Sequence, residues 1–266
     1  MIYQDPRYIK FQAKYEKANI IQAGGMPLLL KDKNAFAPYG YGGPSENFLY
    51  DKFINDLKNM GANHYFIRFA PWLENHKLFP ANKVKYSRKT VARDLMQPIK
   101  FGHGTESSIK KTLGPRFKNK CEIIHGYEAL SNDIYTINYL YNITMERKQA
   151  EICYKYNFIY FKDMFKLLND NIDLFLVKNM VNKYIAFALF VFDETNVYYH
   201  YSGTDIEYKE IYPMECIIDK ACRYYQKQGK KLIHFGGGLK EDDSLFRFKQ
   251  KFGNLTFDYY IADGNT

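Results

Sequence analysis

Three short stretches concentrate the residues that could do chemistry. Residues His234 to Gly253 read HFGGGLKEDDSLFRFKQKFG, Tyr199 to Asp205 read YHYSGTD, and Pro38 to Pro44 read PYGYGGP. Gly236, Gly237 and Gly238 follow a strand-like segment and precede a helix-like one, the setting in which backbone N–H groups cradle a phosphate. Their spacing is not GxGxxG, and Glu241, Asp242 and Asp243 set negative charge where such a helix would begin. Turn and cap roles therefore compete with a substrate-loop role for Gly236 and Gly237. In the second stretch Tyr201 offers a hydroxyl to relay a proton, while His200 and Asp205 offer groups able to take one from an amine; aromatic strands also simply pack. In the third, Tyr39 and Tyr41 on the permissive backbone of Gly40, Gly42 and Gly43 can frame a sugar or peptide, or form a tight structural turn. Arg68 and the cluster Lys110, Lys111 and Arg116 are phosphate candidates, set against the commoner role of solvated basic faces.

Other chemistries lack their signatures. Cys121, Cys153, Cys216 and Cys222 form no CxxC pair, the six histidines form no HExxH pair, and no metal site is expected. The longest apolar run, Tyr184 to Phe192, is about half of the roughly 20 residues a membrane-spanning helix needs. Residues Met1 to Lys10 carry no signal-peptide pattern, so the expected compartment is the cytoplasm. With 38 basic and 29 acidic residues the net charge is +9, which favours an anionic partner such as a phosphate-bearing cofactor, a nucleotide or RNA without selecting among them. The 25 Tyr and 21 Phe are spread along the chain, and no RNP-like motif gathers them into a base-stacking surface.

These candidates need elements to hold them. Asn19 to Ala23 and Met26 to Leu30, separated by Gly24 and Gly25, read as a strand hairpin. Ser45 is placed to cap a helix carrying Phe48, Phe53, Leu57 and Met60 on one face and stopped by Gly61, before a strand from His64 to Phe69. The pattern restarts with a strand around Thr90 to Leu95, the glycine-rich loop Phe101 to Thr105, a Lys-rich helix from Glu106 and a strand at Cys121 to Ile124. Helices are predicted over Ser131 to Lys155 and Tyr160 to Asn169, then strands at Ile172 to Lys178, Tyr184 to Phe192 and Asn196 to Tyr201. Met214, Ile217, Ile218, Ala221, Cys222 and Tyr225 define a helix from Pro213 to Gln228. A strand at Lys231 to Phe235, a helix from Asp243 to Phe252 and a strand at Leu255 to Ile261 follow. Helix, Gly61, strand in the first part echoes helix, Gly229, strand in the second.

The element order from Cys121 to Ile261, together with the three motifs, resembles the GNAT acyltransferase fold and, more closely, the Fem-type peptidyltransferases and the neighbouring BioF2/CelD-like acetyltransferases. The resemblance implies an α/β mixed-sheet, GNAT-like fold in two halves, with boundaries at 1–92 and 93–266 and a last strand that packs back on the first half. It implies an acyltransferase acting by direct attack of an amine. The donor is acetyl-CoA or another acyl-CoA, with aminoacyl-tRNA as the alternative. The acceptor is an amino group of an envelope-related amino sugar or peptide, free or linked to a lipid or nucleotide. A non-catalytic module binding a glycan or nucleotide is the reading from a different class. Typical GNAT enzymes hold the coenzyme A pyrophosphate on an Arg/Gln-x-x-Gly-x-Gly/Ala loop, and no such loop lies between Tyr201 and Pro213. In the GNAT arrangement the strands Ile185 to Phe192 and Val197 to Tyr201 would splay to receive the donor carbonyl, with Ser202 beside the reaction centre. Lys249 of the Phe248-Lys249 pair matches the lysine that stabilises charge on the transferring carbonyl in the Fem family. From composition alone, Lys249 reads as a solvated lysine on an amphipathic helix. Arg247 is assigned to a salt bridge or a phosphate.

Overall fold

The computed structural model describes residues 1–113, 121–126 and 130–266. Arg116, with Gly114 and Pro115, lies outside the described residues. In chain order the main elements are α1 (Pro6–Glu16), β1 (Asn19–Ala23), β2 (Met26–Lys31), β3 (Asn34–Phe36), α2 (Tyr50–Asn59), β4 (His64–Arg68) and β5 (Val84–Asp94). There follow α3 (His103–Leu113), β6 (Cys121–His125), α4 (Leu130–Arg147), α5 (Phe158–Leu168), β7 (Ile172–Asn179), β8 (Tyr184–Phe192) and β9 (Asn196–Thr204). The chain closes with α6 (Pro213–Lys227), β10 (Leu232–Gly237), α7 (Ser244–Gln250) and β11 (Leu255–Asn265). It divides into two compact units: Met1–Thr90 with Gly237–Phe246 and Thr256–Thr266, and Val91–Gly236 with Arg247–Leu255.

The first unit orders its strands β1-β2-β3-β4-β11-β5, with β11 antiparallel to β4 and β3 parallel to it. The Gly24-Gly25 turn joins β1 to β2 as the sequence predicts, both glycines at positive φ. Its core is aromatic: Phe48, Phe53, Tyr65, Phe69 and Phe79 are all buried, and Phe48 stacks on Phe79 at 4.8 Å. The helix expected from Ser45 begins instead at Tyr50. The Ser45 carbonyl accepts the Phe48 N–H, and this turn lets Phe48 enter the core ahead of the helix. Helix α1 was not foreseen, although its signals are local: the Asp5 carboxylate accepts the Arg7 N–H at 2.8 Å and Pro6 occupies the first turn.

In the second unit the strand order is β5-β10-β9-β8-β7-β6. The interior residues of β8 are all buried, the pattern of a strand covered on both faces, with α6 packed on β7 and β8 and α4 on β8 and β9. Helix α4 stops at Arg147 rather than running to Lys155, because Gln149 takes the left-handed conformation and a 3₁₀ turn over Ile152–Tyr154 follows. Strand β10 extends through Gly236 and Gly237, which the sequence reading left in a loop. Among the described residues, no helix is long and apolar enough to cross a membrane.

Backbone meets backbone where α4 crosses β9. A Cβ on Gly203 would lie 2.5 Å from the Leu140 carbonyl oxygen, and beside it the Thr204 N–H donates to Thr144 Oγ1 at 2.9 Å. The close approach requires glycine. Gly203→Ala is expected to push α4 off the strand and lower stability by about 1–3 kcal/mol, read by chemical denaturation.

Candidate functional site

The expected splay between β8 and β9 is not found. These strands are joined by the tight Asp193–Thr195 turn and pair antiparallel from Phe192↔Val197 to Ala186↔Thr204, with one register shift at Leu189/Phe190. The parting of strands occurs on the other side of β9. There β9 and β10 are parallel and pair through Asn196↔Leu232, Val197↔Ile233 and Tyr198↔His234, after which β9 runs on to Thr204 and β10 to Gly237. A hairpin turn enforces a continuous ladder, whereas parallel strands without a turn can diverge.

The end of this pairing brings His234 near Lys249. His234 is 1% exposed and Lys249 9%, both in the second unit. Burial, and then the positive charge of Lys249, push the His234 imidazole down to about 3. Lys249 is therefore not the solvated lysine that composition favours. Withdrawing an ammonium from water is costly, and lysines are seldom buried without a purpose. Arg247, two residues earlier, is exposed, and among the described residues no carboxylate pairs with it.

The residues of the second motif are held by neighbours. Tyr201 is buried in an aromatic cluster with Tyr141, Tyr156 and Phe161, and its hydroxyl lies 2.8 Å from that of Tyr160. Burial lowers the His200 pKa to about 3, leaving it a weak base at neutral pH. Asp205 accepts Lys183 Nζ at 2.9 Å and the Glu207 N–H at 3.2 Å, so its carboxylate forms an ion pair and caps a 3₁₀ helix. Ser202 hydrogen-bonds the Tyr199 phenol, whose pKa is raised by burial.

Gly236 has φ +80, and a Cβ on Gly237 would sit 2.7 Å from the Lys89 carbonyl oxygen, so both glycines answer to backbone constraints. Beyond them, Asp243 fills the cradle that a phosphate would use. Its carboxylate accepts the N–H groups of Leu239 at 2.6 Å, Lys240 at 3.1 Å and Phe246 at 2.8 Å. Although burial opposes it, these donors with that of Leu245 hold the Asp243 carboxyl below the usual carboxylate range. Arg88 Nη1 secures the same loop by donating to the carbonyls of Gly238 and Leu239 at 2.7 and 2.9 Å.

The PYGYGGP loop lies in the first unit and is pinned along its length. Buried Asn75 donates to the carbonyls of Gly42 and Pro44 at 2.9 and 3.2 Å and accepts the Ala70 N–H. Gln4 donates to the Gly43 carbonyl at 2.8 Å, and the Tyr8 hydroxyl to that of Tyr39. Arg68 Nη1 donates to the Ala37 carbonyl at 2.7 Å, with the guanidinium 4.8 Å over the Phe66 ring. Gly43 has φ +93 and packs where a Cβ would be 2.7 Å from Asn75 Nδ2. Tyr41 sits among Tyr3, Trp72 and Tyr259, and burial, with Tyr259 and Tyr39 adding to it, raises its phenol well above the ordinary value. Tyr39 remains exposed.

Asn75, Arg88 and His234 were not singled out in the sequence. His234 carried a signal, an ionisable residue inside the apolar run Leu232 to Phe235. Asn75 and Arg88 carried none, because their partners are loop carbonyls 31 to 33 and 150 to 151 residues away. Among the described residues, no group of three or more His, Cys, Asp or Glu is arranged to hold a metal ion.

Residues 171–260, from the start of β7 into β11, match the FemAB family model. The fold is similar to that of FemX, with a TM-score of 0.71 at 15% identity, covering 100% of this chain and 92% of that one. It is also similar to L-PGS from Bacillus licheniformis, with a TM-score of 0.67 at 11% identity over 98% and 92% of the two chains. A tandem GNAT protein from the clavulanic acid biosynthesis pathway aligns with a TM-score of 0.50 at 8% identity, over 92% and 81%. No curated protein matches the chain by sequence. The Fem-type resemblance and the mixed α/β, GNAT-like fold are borne out, and the family match and the fold together indicate a transferase.

Replacing Asn75 with Ala leaves two loop carbonyls and the Ala70 N–H without their partner. Stability is expected to fall by about 1–3 kcal/mol, with faster amide exchange around residues 42–44 and 70. His200 and His234 give a pH signature. Each has a folded pKa of about 3, below the ordinary 6.5, so the unfolded chain binds the extra protons between those values. Their contribution is complete above about pH 6.5 and is lost as pH falls toward 3, with a slope near 1.4 kcal/mol per pH unit for each histidine. In pH-dependent denaturation, His234→Gln is expected to reduce that slope by about one proton.

Proposed function

We propose that the chain transfers an aminoacyl group from tRNA to an amine, with Lys249 as the cation that stabilises the transferring carbonyl. The observation that carries this reading is the burial of Lys249 beside a neutral His234, close to where β9 and β10 part. A cation in a poorly hydrated site acts strongly on developing negative charge, and a neighbouring imidazole that stays neutral brings no second charge to oppose it.

In the proposed step the acceptor amine attacks the ester carbonyl carbon, forming the C–N bond. Lys249 Nζ meets the charge that builds on the carbonyl oxygen. The C–O bond to the tRNA ribose then breaks, and the proton lost by the amine ends on the departing hydroxyl. No covalent enzyme intermediate is needed. Tyr201, His200, Ser202 and Asp205 are positioning residues in this scheme, building the wall of β9. Tyr41 and the pinned Gly42-Gly43 backbone offer an aromatic surface for an acceptor that is an amino sugar or peptide, lipid- or nucleotide-linked.

Aminoacyl-tRNA is preferred over acyl-CoA because of the segment before α6. Tyr212 is left-handed, Pro213 has no N–H to offer, and Glu215 places a carboxylate in the first turn. Glu207 and Glu210 add further negative charge in the preceding 3₁₀ turn. A helix start of this kind disfavours a pyrophosphate. The FemAB match across residues 171–260 supports the same preference.

The test measures transfer of labelled amino acid from tRNA, and of acetyl from acetyl-CoA, to a panel of amino-sugar and peptide acceptors. Transfer from tRNA is expected, and Lys249→Ala is expected to slow it by about a hundredfold or more while tRNA affinity changes little. Saturable acetyl-CoA binding with turnover would overturn the donor assignment. Equal losses of binding and turnover would make Lys249 a donor-holding group. No turnover with either donor, and unchanged ligand affinity in the variant, would favour a binding module.

A further inference from the structure

A cavity of about 650 Å³ opens in the second unit, lined among others by Arg93, Lys100, Gly104, Glu215 and Lys251. Its volume falls in the range that accepts small organic ligands and exceeds what a single inorganic ion needs. One wall is the N-terminus of α3. The Gly102 carbonyl accepts the Glu106 N–H at 3.0 Å, closing the first turn, while the Glu106 carboxylate reaches back to the Phe101 N–H. Among the described residues, the N–H groups of His103, Gly104 and Thr105 meet no acceptor. Gly102 and Gly104 leave this wall open, since a Cβ on either would meet nothing within 4 Å.

Arg93 supplies an independent observation on another wall. It is 5% exposed, it donates Nη2 to the Pro98 carbonyl at 2.8 Å and Nη1 to that of Phe252 at 3.4 Å, and its buried Nε has no partner among the described residues. A buried guanidinium N–H with no acceptor is costly to maintain, and an anion in the cavity would supply the acceptor. The surrounding charge agrees. Arg93, Lys100 and Lys251 face one carboxylate, Glu215, which Lys251 already approaches at 3.7 Å. The start of α6 repels a phosphate and the glycine loop after β10 is filled by Asp243, whereas the start of α3 keeps its donors available.

We infer that this cavity binds the phosphate groups of an organic ligand about the size of a nucleotide, held by the first-turn N–H groups of α3 and by Arg93. The inference stands apart from the acyl-transfer reading, because its test detects binding without turnover. Pyrophosphate and AMP are titrated calorimetrically into the full chain at low and high salt, and saturable binding of either at a single site, weakened by salt, is expected. Gly104→Glu places a carboxylate among the donors without a steric clash. It is expected to lower affinity at least about tenfold while leaving the thermal midpoint unchanged or higher, because negative charge suits a helix start. Arg93→Lys keeps the charge but removes Nε and is expected to weaken binding as well. The inference is overturned if the wild-type chain shows no saturable binding of either probe, or if folded Gly104→Glu binds as tightly as wild type.

Discussion

The second unit depends on how briefly β9 and β10 stay together. Three residues from each strand pair, and the last of them is His234 opposite Tyr198. A longer ladder would have taken up the backbone of both strands, and a shorter one would have left Ile233 and Val197, both fully buried, without a register. Parallel strands tolerate this because no turn ties their ends. The chain then needs a residue that can end the pairing and change direction. Gly236 at positive φ and Gly237 against the Lys89 carbonyl provide it, which is why this stretch is glycine rather than any small residue.

Loop rigidity comes from side chains that reach carbonyls, not from the loops themselves. Asn75 and Arg68 hold the PYGYGGP segment, and Arg88 and Asp243 hold the segment after β10. In both places glycine supplies the backbone geometry and a distant polar residue fixes it. The Asp243 carboxylate also shows how a glycine-rich strand-to-helix turn can satisfy its own N–H groups. A motif of the right composition is then no phosphate site, because its donors already have an anion.

Periodic and local features were legible in the sequence. Helix α6 was marked by its apolar spacing, the β1–β2 hairpin by Gly24-Gly25, and the strands β7 to β9 by their apolar runs. The failures share a physical cause. The Ser45 cap and the long extension of α4 were judged from propensity, and tertiary packing of Phe48 and a left-handed Gln149 decided otherwise. The parting of the strands was placed one strand away, since pairing partners in a mixed sheet are set by topology that no local pattern encodes. For the candidate site, the sequence marked Lys249 through resemblance alone. Its burial, which changes its meaning, depends on where α7 and β10 lie in the folded chain.

Charge placement joins these observations. A net charge of +9 says little about which surface meets an anion, because most lysines are solvated. What separates the basic residues is the environment of each cation. Lys183 is paired with Asp205, Arg68 and Arg88 are directed at carbonyls, and Arg247 is in solvent. Lys249 and Arg93 are the buried cations, at 9% and 5% exposure. Burying a cation in a chain that has ample surface for its other basic residues lowers stability unless the position returns something in binding or catalysis. The two sites inferred here are the two places where the fold accepts that cost.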